Sequence, residues 1–453
     1  MAALAPNQDT SGSQQIPTFA DIRSRALEKF SVKPCLWQLK VVQTLLKGDQ
    51  DVVCTAGTGM GKTLGFWLPL LFSDGGIQII VTPLNMLGKQ NAASLAKAGI
   101  HRISIDSETA TPANFLAIAM LKYRAIAISP EQIMKPDGSF EKLLKNALFA
   151  SRLISIIIDE AHCLTDWGDF CPEYKELGRL QYILPSMVPI MLASATLTKH
   201  SLSNAIRLLH MHADRMAFIR RSTDRPNIKI GVRKIKHTLN SYADLAFLIP
   251  EGWNAGDVPP PKFLIFFDDI QDAINSVRYL RKHLPVECSN KIKWYNSDMT
   301  STYKEMELDN LISSETWGLC MTDSFGMGMD VPDIQLVIQW RATCKLTTLW
   351  QRFGRAAHNK NLLGTASLFA EKEHFDDKRH AKAIRKAHRE NTCKRKAIDS
   401  PAMKNIGRPE KWKRRELDPG MDYLINADRR MGFRCRRKVS DVCFDNDLAV
   451  GLT

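Results

Sequence analysis

At 453 residues the chain is longer than one hydrophobic core usually supports, so two or three domains are expected. Hydrophobic residues make up 44% and charged residues 24%, an ordinary globular composition, and no apolar run approaches the roughly 18 residues of a membrane span. The formal charge of +14 is uneven, because residues 371–440 hold 22 Lys and Arg against 11 Asp and Glu and so carry +11 of it. A basic block on a near-neutral body points to a polyanion partner or a nuclear-import signal; a solvated, partly disordered tail is the alternative. The start, MAALAPNQDTSGSQQ, has neither a basic n-region nor an apolar core, so a soluble protein that is not secreted is expected. Ten cysteines stand singly with no CxxC pair, which argues against a disulfide framework or a zinc ribbon and favours a reducing compartment.

In chain order, residues 1–25 are expected to be a flexible N-terminus. Short β-rich apolar runs then alternate with helical stretches: DVVCTA from 51, IQIIVT from 77, AIAIS from 125, LISIIID from 153 and PIMLASA from 189. A second set comprises KFLIFF from 262, WGLCMT from 317 and LVIQW from 336. Such alternation builds βαβ units, so the expected class is α/β with two parallel-sheet domains. Between the sets, RRSTDRPNIKIGVRK and then EGWNAGDVPPPK read as connections, which puts the boundary near Arg221. After about Glu390 the strands stop, and KRKAIDSPAMKNIGRPEKWKRREL reads as exposed helix or linker. The expected domains are 26–220 and 221–390, followed by a short basic, mainly helical region over 391–453.

The run DVVCTAGTGMGKT sets a strand, a glycine-rich turn and a Lys-Thr pair before a helix, which is a phosphate-loop pattern. Ala56, Gly57, Thr58, Gly59, Met60 and Gly61 would form the loop, with Ala56 where glycine is commoner. The glycines let backbone N–H groups converge on phosphate oxygens, and the helix N-terminus adds its positive end. Lys62 would neutralise the β and γ phosphates of ATP, and Thr63 would ligate Mg²⁺. About a hundred residues on, Asp159 and Glu160 end an apolar strand, where two adjacent acids are costly unless they meet a cation. Asp159 is assigned to the magnesium shell and Glu160 to positioning or deprotonating the attacking water.

AGTGMGKT, DEAH and the SAT of Ser194 to Thr196 resemble the first three motifs of superfamily 2 helicases, and QRFGRAAH from Gln351 to His358 resembles the sixth. DEAHCLTDWGDFCPEYKELGRL, VTPLNML, SPEQI, DRPNI and TDSFGMGMDVPD resemble the RecQ branch more specifically. The likeness covers about residues 30 to 370. It implies two RecA-like domains in tandem, ATP between them and single-stranded or junction-containing DNA across their upper faces. By that resemblance Trp167, Phe170 and Tyr174 sense DNA, since an exposed ring stacks any base for about 1–3 kcal/mol. His162 relays between nucleotide and domain interface, with Ser194, Thr196 and Asp323 in the same coupling and Asp330 bracing the turn after Asp323. Gln38 reads one adenine edge, with Phe30 or Lys33 covering the ring. Gln351 and Arg355 belong to the catalytic set.

Where the family's sixth motif has two arginines three residues apart, this chain has Arg355 and then His358, with Arg352 an extra cation; either arginine could compensate. A neutral imidazole does not replace a bidentate guanidinium, so weak or absent turnover is expected. FRCRRKVSDVCFDN resembles the start of the RecQ zinc-binding module. Cys435 and Cys443 cannot complete a four-ligand site, Cys393 being one further thiolate, and zinc is not expected. KRK at 394 and KWKRR at 411 are spaced like a two-part nuclear-import signal, or belong to a DNA-binding surface. The reading is an ATP-dependent 3′–5′ DNA helicase; the alternatives are an RNA helicase of the same superfamily or a binder that has lost turnover.

Overall fold

The computed structural model describes residues 15–82, 89–166, 172–322, 331–359, 361–381, 384–385 and 417–446. The first sheet holds β1 (Asp51–Thr55), β2 (Ile77–Val81), β3 (Arg102–Ile105), β4 (Ala125–Ile128), β5 (Leu153–Asp159), β6 (Ile190–Ser194) and β7 (Met216–Arg220) in the order β3-β4-β2-β5-β6-β1-β7. The second holds β8 (Ile228–Lys234), β9 (Phe263–Phe266), β10 (Ile292–Tyr295), β11 (Gly318–Met321), β12 (Leu336–Trp340) and β13 (Gly364–Ala370) in the order β10-β11-β9-β12-β13-β8. Every pairing is parallel. The chain is thus two parallel-sheet α/β domains of RecA-like architecture in tandem.

Strands buried on both faces need apolar residues at successive positions, and that is why the central runs show no polar alternation. Val53, Ile156, Ile158 and Leu192 enter one layer, while Val52, Cys54, Ile157 and Met191 enter the other. The second sheet divides likewise, Leu264, Leu319 and Val337 on one side and Phe263, Ile265 and Ile338 on the other. The chain leaves the first sheet at Arg220 and enters the second at Ile228. IKIGVRK, expected to be part of a connection, is instead β8 and pairs with β13 along its whole length.

One further expectation changes. The N-terminus is helical from Phe19 to Phe30, because Thr18 and Asp21 form a capping box and Ile22 and Ala26, one turn apart, bury against Leu39, Val42 and Leu68. The stretch expected to be exposed helix or linker, 394–417, lies outside the described residues but for Leu417, and the region after it packs on the second domain. Helices Pro419–Asn426 and Arg436–Phe444 send Met421, Leu424, Val439 and Phe444 into the layer of Leu346, Leu349, Trp350 and Phe353. Its arginines meet local carboxylates: Arg430 reaches Asp376 at 3.1 Å and Asp422 at 2.8 Å, and Arg436 pairs with Asp428. The clusters at 394 and 411 lie outside the described residues.

Tyr174 corrects the expected aromatic sensor. It sits on the short helix Glu173–Glu176, is 0% exposed, and shares a core layer with Leu177 and Leu180, so its ring cannot stack a base. Trp167 and Phe170 lie outside the described residues. Tyr174→Ala is expected to lower the unfolding free energy by about 3–5 kcal/mol, as large core truncations do, while Tyr174→Phe retains most of it. An unchanged urea midpoint for Tyr174→Ala would remove the ring from the core.

Candidate active site

Three neighbouring strands deliver the site. β5, β6 and β1 lie side by side, with Asp159 opposite Ala193 and Thr55 opposite Ser194. Parallel strands about 4.8 Å apart that end in register release their loops at one edge. The phosphate loop, the Asp159–Glu160 pair and Ser194–Thr196 therefore leave the sheet together.

Within the loop, Gly59 at φ +75° and Gly61 at φ +78° occupy the left-handed region that side chains resist. Gly61 caps the helix Lys62–Trp67, whose first turn carries Lys62 and Thr63. The Lys62 ammonium donates to the Ala56 carbonyl at 3.0 Å. Gln38, 4% exposed, donates to the Gly61 carbonyl at 2.8 Å and accepts from the Cys35 N–H at 2.7 Å. Both ends of its amide thus hold backbone, and the side chain braces the loop directly. Phe30 is half-buried against two core layers, whereas Lys33 is exposed.

Beside the loop, burial, and after it the charge of Glu160, pushes the Asp159 carboxyl up to about 7, against the opposing pull of Lys62. Glu160 adopts φ +51°, a strained value for a non-glycine residue. Two bonds hold it there: its N–H donates to Asp159 Oδ1 at 3.0 Å, and the Ala161 N–H donates to the Ala193 carbonyl at 2.9 Å. A carboxylate whose proton is retained by burial and a neighbouring anion is a site that a cation would stabilise. The donor set of Asp159 and the Thr63 hydroxyl, all oxygen, fits magnesium.

His162, 4% exposed, stands at the domain interface. Its Nδ1 lies 3.1 Å from the Ser194 hydroxyl and 3.4 Å from Glu160 Oε2. From the second domain, the Gln351 amide nitrogen on helix Leu346–Phe353 comes within 2.7 Å of His162 Nε2 and donates to Thr196 Oγ1 at 3.0 Å. One side chain of the sixth motif thus touches residues that follow β5 and β6.

The two other cations of that motif diverge. Arg352 is 3% exposed, pairs with Asp268 at 2.6 Å, donates to Gln339 Oε1 and lies over the Phe266 ring at 5.3 Å. Held inside the second domain by these three groups, Arg352 does not compensate for the missing arginine. Arg355 is buried at 7% exposure. His358 does face the phosphate loop, since a Cβ on Gly59 would stand 3.7 Å from its imidazole.

Sequence reasoning assigned no role to Arg225, which the structure sets between the phosphate loop and the sixth motif. Its Nη1 donates to the Thr58 carbonyl at 2.9 Å, and its Nη2 donates to the Ala357 carbonyl at 2.6 Å. Asn227 also donates to the Ala357 carbonyl, at 3.1 Å. The available signal was DRPNI itself, a charged segment with a proline between two sheets. Asp323 and Asp330 lie outside the described residues. Among the described residues no three His, Cys, Asp or Glu side chains form a metal cluster. Cys435 caps the start of the helix Arg436–Phe444 and Cys443 lies in its last turn, about 12 Å away along the axis.

Known proteins resemble this chain in domain content and in fold. Residues 36–205 match the DEAD/DEAH box helicase family and residues 256–360 match the helicase conserved C-terminal domain. The chain is 28% identical over 329 residues to the probable ATP-dependent DNA helicase RecS of Bacillus subtilis, covering 71% of this chain and 61% of that protein. It is 28% identical to the mouse bifunctional 3'-5' exonuclease/ATP-dependent helicase WRN, covering 73% of this chain and 22% of the other. It thus spans between 22% and 61% of the length of these two relatives. In fold it resembles the DEAD-box helicase Mss116 bound to single-stranded RNA, with a TM-score of 0.60, 18% identity, and coverage of 80% of this chain and 77% of that one. The helicase MrfA bound to DNA gives a TM-score of 0.59 at 17% identity, covering 78% and 48%. Motif order and matched domains together give this chain a DEAD/DEAH box helicase domain followed by a helicase conserved C-terminal domain, similar to those of RecS and WRN.

Proposed function

We propose that the chain is an ATP-dependent DNA helicase or translocase of RecQ type that moves 3′ to 5′ on single-stranded DNA and serves DNA repair or recombination in the nucleus. The observation that carries this reading is the Gln351 contact, which ties residues beside the acid pair to the second domain through His162 and Thr196. A nucleotide held on the loop of the first domain would bias how tightly the second domain closes, and that closure is what moves a strand. The DNA substrate, including junction-containing duplex, is inferred from RecS and the other relatives named as DNA helicases.

In this mechanism the loop N–H groups and Lys62 bind the phosphates, Glu160 orients the attacking water and takes its proton, and Arg355 completes the charge from the second domain. Bound magnesium, held by Thr63 and Asp159, would neutralise charge on the phosphate oxygens. Ser194 and Thr196 orient His162 and Gln351, so that interface geometry and water activation share one set of hydrogen bonds. Trp167, Phe170 and Asp323 retain their assigned roles toward DNA in this proposal.

A second reading, a nucleic-acid binder that has lost turnover, is favoured by His358 facing the loop and by the commitment of Arg352 elsewhere. ATP hydrolysis with and without single-stranded DNA or RNA separates the readings. We expect DNA to stimulate the wild type, Lys62→Ala to abolish turnover, and His358→Arg to raise it by about tenfold or more, within the range of arginine-finger effects. Turnover that appears only in His358→Arg would establish the binder, and stimulation by RNA alone would transfer the substrate assignment to RNA.

The acid pair gives a stability prediction for the metal-free protein in chelator. The folded-state value of Asp159 lies above its ordinary 3.8, so the ionised carboxylate opposes folding. Asp159→Asn should therefore stabilise the protein by about 1–2 kcal/mol above pH 7. The gain should shrink as pH falls and vanish below the unfolded value near 4, where both states are protonated. Thermal melts across that range check it, and an unchanged or lowered melting temperature at pH 8 would refute it.

A further inference from the structure

We propose that Arg225 is a positioning residue for nucleoside triphosphate binding, seated by the C-terminal helix Arg436–Phe444 through Arg437 and Asn446. This rests on reading the glycine loop as the ATP site. For loop N–H groups to face an anion, carbonyls of the same turns must face away, and inside an interface those oxygens need donors. The Arg225 guanidinium supplies them on two sides at once: Thr58 of the loop at 2.9 Å, and Ala357 of the sixth motif at 2.6 Å, with Gly354 and Ala356 each at 3.4 Å. A planar fork reaches two backbone segments from two separate nitrogens, whereas an ammonium donates from one point.

Arg225 rides on residues 221–227, a connection that by itself has the freedom of any loop. Two residues from far along the chain, Arg437 and Asn446, remove that freedom. Arg437 donates to the Asp224 carboxylate, to the Arg225 carbonyl at 3.1 Å and to the Ile228 carbonyl. Asn446 Oδ1 accepts from the Thr223 N–H at 2.9 Å and its hydroxyl at 3.1 Å, while the Asn446 amide nitrogen donates to Asp441 at 2.9 Å. Asp445 reaches into the first domain, pairing with Lys199 at 3.0 Å and Arg220 at 3.5 Å. The body of the helix meanwhile packs on the second domain, with Phe444 against Trp350 at 6.0 Å between ring centres.

The helix therefore straddles both domains and fixes the connection between them. A segment with no residue at the phosphate loop sets how well that loop is formed and how firmly it is joined to the sixth motif. Removing the join should weaken triphosphate more than diphosphate, because the sixth motif is the part that meets the terminal phosphate.

The test uses the full chain and titrates a fluorescent ATP analogue and fluorescent ADP against wild type, Arg225→Gln, Arg225→Lys, Arg437→Gln, the Arg225→Gln/Arg437→Gln double variant and Lys62→Ala, with a thermal melt of each. Arg225→Gln should weaken the ATP analogue by about tenfold, the scale of a lost charged hydrogen bond, with ADP affected less and Arg225→Lys recovering part. Arg437→Gln should weaken it by about threefold, and the double variant should be no worse than Arg225→Gln, since both act through one path. Wild-type affinity in Arg437→Gln would sever the helix from the site. Variants that melt earlier yet bind ATP analogue and ADP as wild type does would reduce Arg225 to a purely structural tie. Should Arg225→Gln not fold, Arg225→Lys and Arg437→Gln carry the same comparison. If wild type binds no nucleotide and Lys62→Ala changes nothing, the ATP reading itself falls and takes this inference with it.

Discussion

Everything at this site depends on carbonyl and imidazole groups at the edge of the first sheet being answered by donors from outside it. Gln351 answers His162 and Thr196 from the second domain, and Arg225 answers Thr58 from the connection between the domains. A phosphate loop is a turn with its donors pointed at a ligand, and such a turn is unstable alone because its remaining backbone groups are unsatisfied. Here those groups are held by Gln38 within the first domain and by Arg225 across the interface. Loop formation and domain apposition are consequently one equilibrium, which is the physical requirement for converting nucleotide occupancy into motion.

Electrostatics push the same way. Asp159 and Glu160 place two carboxylates at one strand end, with Lys62 opposing the proton uptake that burial favours at Asp159. A site of that kind is poorly satisfied alone and well satisfied with a cation and a polyphosphate, so binding energy is concentrated where the protein by itself is strained. The left-handed Glu160 belongs to the same pattern: its backbone is tolerable only because the flanking N–H groups bond Asp159 and Ala193. Strain retained at the acid pair, and hydrogen bonds that radiate from it to His162, Ser194 and Gln351, give Glu160 a fixed relation to the interface.

How far the fold could be read from sequence depended on strand position. β1, β2, β4, β5, β6, β9, β11 and β12 are interior strands, and their two-sided burial favours nearly continuous apolar runs, broken only by single residues such as Gln78, Ser155 and Gln339. The runs that escaped notice include all four sheet edges, β3, β7, β8 and β10, where one flank meets no strand and Arg, Lys and Gly interrupt the pattern. β13 escaped despite an interior place, because GTASLFA fills its first half with small residues. At the site, the glycine loop, the acid pair and the third motif were legible since each needs particular chemistry at fixed spacing. Tyr174 was misjudged although Leu177 and Leu180 follow it at three-residue steps, a buried helical stripe overshadowed by the aromatic content of the segment. Arg225 was marked only by the DRPNI segment as a whole, and the contacts of Arg437 and Asn446 had no local signal, because their partners lie up to 223 residues away.

The altered sixth motif can now be weighed by position rather than by composition alone. Arg352, nearby in sequence, has its guanidinium closed in by Asp268, Gln339 and Phe266, and moving it would take a donor from the buried Gln339 amide and a partner from Asp268. His358 is in the right place with the wrong chemistry, its imidazole beside Gly59. Arg225 has a guanidinium at the same loop, but its donors hold carbonyl oxygens rather than open space. Positive charge is therefore retained around the phosphate loop while the permanent bidentate donor of the sixth motif is lost. On the proposed reading, binding draws on charge and loop order, while the rate of phosphoryl transfer draws on a donor aimed at the transition state, a role for which the sixth motif offers Arg355.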